Sequence, residues 1–434
     1  MFPAPAPEVA VFPLKRVVFV TRTFPSGFDR SVNGVYQRMR LFLEAARSIS
    51  EQFEILFFVE ESFLGRLDPV AFSVELKAHW GVDAVIRFAA REVDDRSWFG
   101  ANIRPLWDVR SNSHVFKTGG TLQGQAIDAA LKEPADLIVA FKFESALPVL
   151  AARVVLPPMA LDLDDIEHVK HPRMLARQPN GWRKMLEYGY WPSLFLGERR
   201  AIRTSTISFV CSTTARDHLD RVVRSGNIRI APNAVQFPSV AARTAGRSAG
   251  HGPPVLLFVG IFAYPPNAEA AELLATAIFP RVLKEIPEAR LVFVGAYVEK
   301  IQHLQDAAPN IELRGFVDDL ASVYEEASLA CCPIMAGGGT RTKIIEAAAF
   351  HLPVVATTLG AEGIEFEDGQ EIVLRDDPAS FAAACVALLR DPERASRIAE
   401  AAYVRARRYE RSAVIAQITA DLLEASGRAP VVAA

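Results

Sequence analysis

The chain has 434 residues, too many for one ordinary core, and half of them are hydrophobic, which excludes bulk disorder and suggests two domains. Its formal net charge is −3, which excludes a global drive toward nucleic acid. The four cysteines, Cys211, Cys331, Cys332 and Cys385, lie in apolar stretches with no CxxC spacing, which reads as reduced core thiols of a cytosolic protein and not as disulfides or a zinc site.

The first residues, MFPAPAPEVAVFP, are proline-rich and lack a basic n-region, so 1–14 is expected to be a flexible tail. RVVFVTRTF at 16–24 is a buried-strand pattern, and PSGFDRSVNG follows as a loop. VYQRMRLFLEAARSI is an amphipathic helix and FEILFFV a second strand. DAVIRFA, ADLIVAF and PMALDL are further strand candidates, and TISFVCS and IRIAPNAV close the first half. Strands alternating with helices predict a parallel sheet with both faces covered. The stretch 168–203 interrupts the alternation with basic and aromatic residues. The small, polar segment AARTAGRSAGHGPP at 241–254 is the expected linker between domains at 15–240 and 255–408.

The alternation then restarts. PVLLFVG reads as strand, NAEAAELLATAIFPRVLKEI as helix, ARLVFVG as strand, YVEKIQHLQDA as helix, IELRG as strand, LASVYEEA as helix and LACCPI as strand. ERSAVIAQITADLLEA, within 409–426, is a final helix expected to pack back on the first domain. The fold class is therefore α/β, with two Rossmann-like domains facing across a cleft, where ligands bind beyond the carboxyl ends of the strands.

MAGGGTRTKIIEAAAFHLPVVAT, at 335–357, lies at such an end. Gly337, Gly338 and Gly339 give a turn where backbone approaches a ligand, and Thr340 is the expected N-cap. The helix N-terminus offers free N–H groups and a positive dipole end, and Arg341 and Lys343 add cations, a combination suited to a phosphate or diphosphate. Glu346, one turn further on, is placed to accept hydrogen bonds from sugar or ribose hydroxyls. A solvated helix start with ordinary surface charges fits the same residues. No GxGxxG follows a strand, and GGTLQGQ at 119–125 has glutamine where a P-loop needs lysine. The acidic DLDDIEH at 162–168 reads as caps and turn formers in a cleft loop, so no metal site is assigned.

These motifs, in this order, resemble the retaining GT-B glycosyltransferases of the GT4 family, and especially its bacterial exopolysaccharide sugar transferases. The resemblance rests on LLFVGIFAYPPNAEA, LVFVG, IELRGFVDDLASVYEEASLACCPI, GGGTRTKIIEAAAFHLPVVATTLGAEGI and DGQEIVL in the second half. In the first half it rests on FVTRTFPSGFDRSVNGVYQRMRLF, GERRAIRTSTISFVCS and IAPNAVQF. It implies a GT-B fold and a nucleotide-sugar donor, UDP- or GDP-linked, held by the second domain through Gly260, Gly338, Gly339, Thr340, Arg341, Lys343 and Glu346. Glu346 matches the second glutamate of the EX7E motif, which usually holds the ribose. The first glutamate's position is Gly338, a departure that bears on the sugar. The usual Arg and Lys after VG are also absent. Ile261 stands near the arginine position and Asn267 near the lysine position, and Arg341 and Lys343 are expected to supply the missing charge.

Asn33 and Gly34 match a glycine loop that closes on the donor phosphates, and Gly360 to Gly363 match a segment downstream of the donor motif. Asp162 sits where many relatives place an active-site histidine. It is either a catalytic residue that orients sugar or acceptor, or a turn residue. The implied reaction is transfer with retention to a hydroxyl of a glycan or lipid-linked glycan, without cofactor or metal, with Arg341 and Lys343 stabilising the leaving diphosphate. An epimerase of the same fold and a non-catalytic nucleotide-binding relative are the competing readings. The basic and aromatic residues of 170–203 suit an anionic membrane surface, so the enzyme is expected in the cytoplasm or docked on the inner face of the cell membrane.

Overall fold

A computed structural model describes residues 13–25, 27–28, 34–91, 121–176, 179–238, 252–317, 319–336 and 340–428. Two parallel sheets carry the fold. The first runs β1 (Leu14–Thr21), α1 (Gly34–Ser48), β2 (Ser50–Val59), α2 (Pro69–Trp80), β3 (Val85–Ala90), α3 (Thr121–Ala130), β4 (Leu137–Phe141), α4 (Phe143–Ala151) and β5 (Met159–Asp162). Three helices follow, α5 (Glu167–Ala176), α6 (Trp182–Gly189) and α7 (Trp191–Thr204), then β6 (Ile207–Val210), α8 (Thr213–Val222) and β7 (Ile228–Ile230). The seven strands lie in the order β3-β2-β1-β4-β5-β6-β7. Their apolar runs are buried on both faces, as a helix-covered parallel sheet requires: β1 keeps Val17, Val18, Phe19 and Val20 at 1% exposure or less.

The second sheet has six strands in the order β10-β9-β8-β11-β12-β13. Its elements are β8 (Val255–Val259), α9 (Pro265–Leu273), α10 (Phe279–Glu285), β9 (Arg290–Val294), β10 (Ile311–Leu313), α11 (Leu320–Glu326), β11 (Leu329–Cys332), α12 (Thr342–Ala349), β12 (Val354–Ala356) and β13 (Val373–Leu374). Helices α13 (Pro378–Arg390) and α14 (Pro392–Ala406) complete this half, and the four cysteines are all buried free thiols. The last helix, α15 (Arg411–Ala425), packs on α1, and its Val414, Ile418 and Leu422 join the same core as Phe42.

Three local expectations are corrected. The helix expected over 267–286 starts earlier, at Pro265, and is broken by a π turn at Leu274–Ile278. Pro280 cannot donate to the carbonyl four residues back, and a widened turn absorbs that mismatch. The helix expected over 297–307 is a 3-10 segment, Val298–Leu304. Thr340 is not the N-cap of α12: Arg341 takes that place with extended backbone, φ −83° and ψ 94°. The expected linker lies outside the described residues except for 252–254.

Where the chain crosses between the halves, its two passes touch. The Val235 amide donates to Tyr409 O at 2.9 Å and the Arg411 amide to Val235 O at 3.1 Å.

Candidate functional site

In the second sheet β8 lies between β9 and β11, so the strand order reverses beside β8, and the crevice at the carboxyl ends of β8 and β11 is the topological switch point. The segments that follow β8 and β11 touch there. Gly260 ends β8, and an added Cβ at this position would come within 3.1 Å of Asn267 Cγ and 3.2 Å of the Phe258 ring. Arg341 caps α12 and is 9% exposed, with Nη2 donating to Ala336 O at 3.2 Å. Lys343, in the first turn, reaches across to the head of α9, where Nζ donates to Asn267 Oδ1 at 3.0 Å and stands 4.0 Å from the centre of the Phe258 ring. Burial holds the Lys343 ammonium down to about 8, with Arg341 acting in the same direction against Cys332 and Glu346.

Glu346 faces inward one turn later, and the Tyr324 hydroxyl donates to its Oε2 at 2.9 Å. Burial pushes the Glu346 carboxyl up, opposed by that hydrogen bond and by Lys343. Tyr324 in turn stacks on Phe350 with centroids 5.1 Å apart. A carboxylate held this way keeps one oxygen for a ligand hydroxyl.

The first sheet presents a charged edge opposite. Asp162 ends β5, where its carboxylate is fully buried and bonded to the Arg38 guanidinium, so it is a strand residue and not a turn former. Arg38 also donates to Ala231 O and Asn233 Oδ1, tying β5 to α1 and to the strand-end loop after β7. The accessible charges come from the next residues. Asp164, at φ 49°, lies 3.4 Å from Lys142 Nζ, and Asp165 lies 3.0 Å from Lys170 Nζ. Burial pushes the Asp165 carboxyl up, yet Lys170 and Lys142, helped by Arg341 from the other half, hold it below its ordinary value. Burial lifts Glu167 to about 7 against the pull of Lys170. Among the described residues, no group of His, Cys, Asp and Glu side chains is arranged to hold a metal ion.

The halves meet at Gly363, φ 82°, where an added Cβ would stand 3.1 Å from Thr340 Oγ1 and 3.4 Å from Ser212. Arg173 forks onto Glu362 at 2.7 and 3.0 Å, and Thr213 Oγ1 donates to Glu365 at 2.8 Å. Arg341, Lys343, Glu346, Thr340 and Gly260 are thus brought to one crevice. Gly34 opens α1 at the carboxyl edge of the first sheet. Asn33, Gly338 and Gly339 lie outside the described residues. Asn267 was read only as the place of an absent lysine, and Tyr324, Lys142 and Lys170 were not read as neighbours of these residues.

The family model for glycosyl transferases group 1 matches residues 253–391, the part that carries this crevice. Residues 253–391 are thus similar to group 1 glycosyl transferases. The chain is similar to a phosphatidyl-myo-inositol mannosyltransferase of Mycolicibacterium smegmatis, 32% identical over 170 residues, which are 38% of this chain and 43% of that protein. A protein from the cps region of Klebsiella pneumoniae is 26% identical over 135 residues, 29% of this chain and 35% of that one. The chain thus spans less than half the length of either relative. Among solved structures, Anabaena Alr3699/HepE in complex with UDP aligns with a TM-score of 0.62 at 14% identity, covering 94% of this chain and all of that one. Sucrose-phosphate synthase from Thermosynechococcus elongatus aligns with 0.63 at 16% identity over 93% and 97%. The two sheets and their helices together form the GT-B fold.

Proposed function

We propose that the chain is a retaining hexosyltransferase that moves a sugar from a UDP- or GDP-sugar to a hydroxyl of a glycan or lipid-linked glycan, in surface polysaccharide synthesis. Residues 15–240 serve the acceptor and 255–408 the donor. The observation that carries the reading is the convergence of Arg341, Lys343 and the α12 N-terminus on the switch point, with Glu346 one turn below. Cations and helix dipole address the diphosphate; the Tyr324-held carboxylate addresses the ribose. In the transfer, the bond from C1 to the β-phosphate oxygen breaks and its electron pair leaves with the diphosphate. The acceptor oxygen bonds C1 on the same face, and its proton passes to the departing phosphate oxygen. Arg341 and Lys343 stabilise the charge that develops there, the kind of preorganised electrostatics that contributes most in a water-poor site. The alignment to a structure holding UDP supports a uridine donor as the first to test. Incubation with a panel of UDP- and GDP-sugars should release nucleoside diphosphate slowly without acceptor. Release from none of them, with intact nucleotide binding, would leave a non-catalytic binder. An epimerised donor would mark an isomerase.

A membrane-borne acceptor is part of this reading, with the enzyme peripheral at the inner face of the cell membrane. No helix of the described residues is long and apolar enough to cross a membrane. Much of the basic and aromatic segment is spent inside the fold: Lys170 pairs with Asp165 and Glu167, Arg173 with Glu362, and Arg203 donates to Val223 O. Tyr190 is buried, and Phe195 packs on His168. What stays outward is α6, none of whose residues is buried, with Trp182 at 69% and Met185 at 76% exposure and Tyr188 beside them. Arg183 lies over Trp182, and Trp191 and Leu196 of α7 are also exposed. An apolar stripe flanked by cations supports shallow insertion into an anionic headgroup layer.

A further inference from the structure

Lys343 enters the crevice from α12 but does not stand there unaided. Its Nζ rests on a seat built wholly by another part of the chain, the head of β8 and the first turn of α9. Asn267 Oδ1 accepts from Nζ at 3.0 Å, and Asn267 Nδ2 donates to Ile261 O at 3.0 Å. Those two bonds fix the amide's orientation, because the flipped amide would set its NH₂ against the ammonium and its oxygen against a carbonyl. The Phe258 ring closes the seat from below, 4.0 Å from Nζ, a cation–π distance. Gly260 keeps the space open, since a Cβ there would press on both Asn267 and Phe258 at 3.1 to 3.2 Å. Gly295 does the same for Gly260, whose carbonyl oxygen would lie 1.9 Å from a Cβ at residue 295. The seat is therefore specified by four residues that share no sequence motif with Lys343.

We propose that Asn267 is a positioning residue that aims the Lys343 ammonium at the donor diphosphate, so that the charge of this site is supplied by α12 and placed by α9. The proposal rests on the diphosphate reading given above and assigns how its cation is held. An ammonium has three donors and Asn267 takes one, which leaves Lys343 able to meet a phosphate oxygen without leaving its seat. The ionisable groups facing it are Cys332 of β11, Arg341, and Glu346, which is itself bonded to Tyr324 of α11. Burial raises the Cys332 thiol, so it stays neutral, and among the described residues no carboxylate pairs with Nζ in place of the amide. A neutral acceptor orients the lysine without competing for the charge that the phosphate needs.

The test compares UDP and uridine by calorimetry in four proteins: the unaltered chain, Lys343→Met, Asn267→Leu, and the exchange Asn267→Lys/Lys343→Asn. Asn267→Leu should weaken UDP by roughly tenfold, the loss expected for one charge-assisted hydrogen bond, and leave uridine unchanged. The exchange should bind UDP more tightly than Lys343→Met, because a lysine at 267 spans the same gap from the other side. A ligand-free readout runs beside it: the Lys343 titration, followed by ¹³C-methyl NMR, should move in Asn267→Leu. Unaltered UDP affinity together with an unmoved titration in Asn267→Leu would overturn the positioning role. If Lys343→Met itself kept full UDP affinity, the diphosphate reading would fall instead, so the two failures are distinguishable.

Discussion

Arg38 and Asp162 form an ion pair from which water is excluded: Nη2 stands 2.5 Å from Oδ1 and both side chains are fully covered. Removing one partner strands the other charge, which typically costs ~3–5 kcal/mol. Asp162→Ala and Arg38→Met should therefore each lower stability by an amount in that range, measured by urea unfolding. The folded fraction of Asp162→Ala should still bind UDP as the unaltered chain does. A catalytic Asp162 would show the reverse, full stability and lost turnover.

Lys343→Ala should weaken UDP far more than uridine, by roughly 1.5–3 kcal/mol for the charge-assisted bond it removes. The pH dependence has a definite sign. The ammonium is held down to about 8, so its charged form is lost as pH rises through that value, and UDP affinity should fall between pH 7 and 9. Phosphate drawn next to Nζ favours the protonated form, so binding at pH 8 should take up protons. Calorimetry in buffers of different ionisation enthalpy reads this directly, and a buffer-independent enthalpy at pH 8 counts against it.

The same lysine should work against stability. In the unfolded chain its pKa is near ~10.4, so at neutral pH the native state carries a desolvated ammonium that the unfolded state hydrates freely. The penalty is present below the folded value and is relieved as pH rises from about 8 toward the unfolded one. Lys343→Met should raise the melting temperature at pH 7 while reducing the discrimination between UDP and uridine. A lower melting temperature would mean that the seat stabilises the charge better than burial penalises it.

Tyr324→Phe removes the hydroxyl that donates to Glu346 Oε2. Uridine and UDP should weaken alike, by about 1–2 kcal/mol, because the ribose contact is common to both. Glu346→Ala should show the same pattern more strongly. A loss confined to UDP would place Glu346 on the phosphates or the sugar.

Membrane docking should depend on the exposed stripe of α6. The unaltered chain should sediment with vesicles containing phosphatidylglycerol, less so at high salt, and scarcely with neutral ones. Trp182→Ser/Met185→Ser/Tyr188→Ser should abolish sedimentation and leave UDP affinity intact. Equal binding to neutral and anionic vesicles, or none to either, would point to a soluble acceptor.

The alternation of apolar runs and amphipathic stretches was legible because each strand and helix declares its period within ten or fifteen residues. The crevice was legible in part for the same reason: Arg341, Lys343 and Glu346 sit on one short helix. What escaped was whatever a distant segment supplies. Arg38 meets Asp162 across 124 residues, Lys343 meets Asn267 across 76, and Tyr324 meets Glu346 across 22. No local pattern encodes those pairings. The pairing of Asp162 with Arg38 was not legible because an acid at a strand end looks alike whether it faces solvent or a buried guanidinium. Thr340 was misread as a cap because the choice between neighbouring residues at a helix start depends on where the glycine turn delivers the chain.

The return of α15 to α1 sets an order of assembly. Phe42 and its neighbours near the start of the chain share their core with Val414, Ile418 and Leu422 near its end. A ribosome delivers the first sheet long before it delivers that helix, so for most of synthesis the outer side of α1 waits with apolar surface unpaired. The second sheet emerges in between and can complete its own core meanwhile. The half that is made first is thus sealed last, and a chain cut just before α15 would hold a finished second core joined to an exposed, aggregation-prone first one.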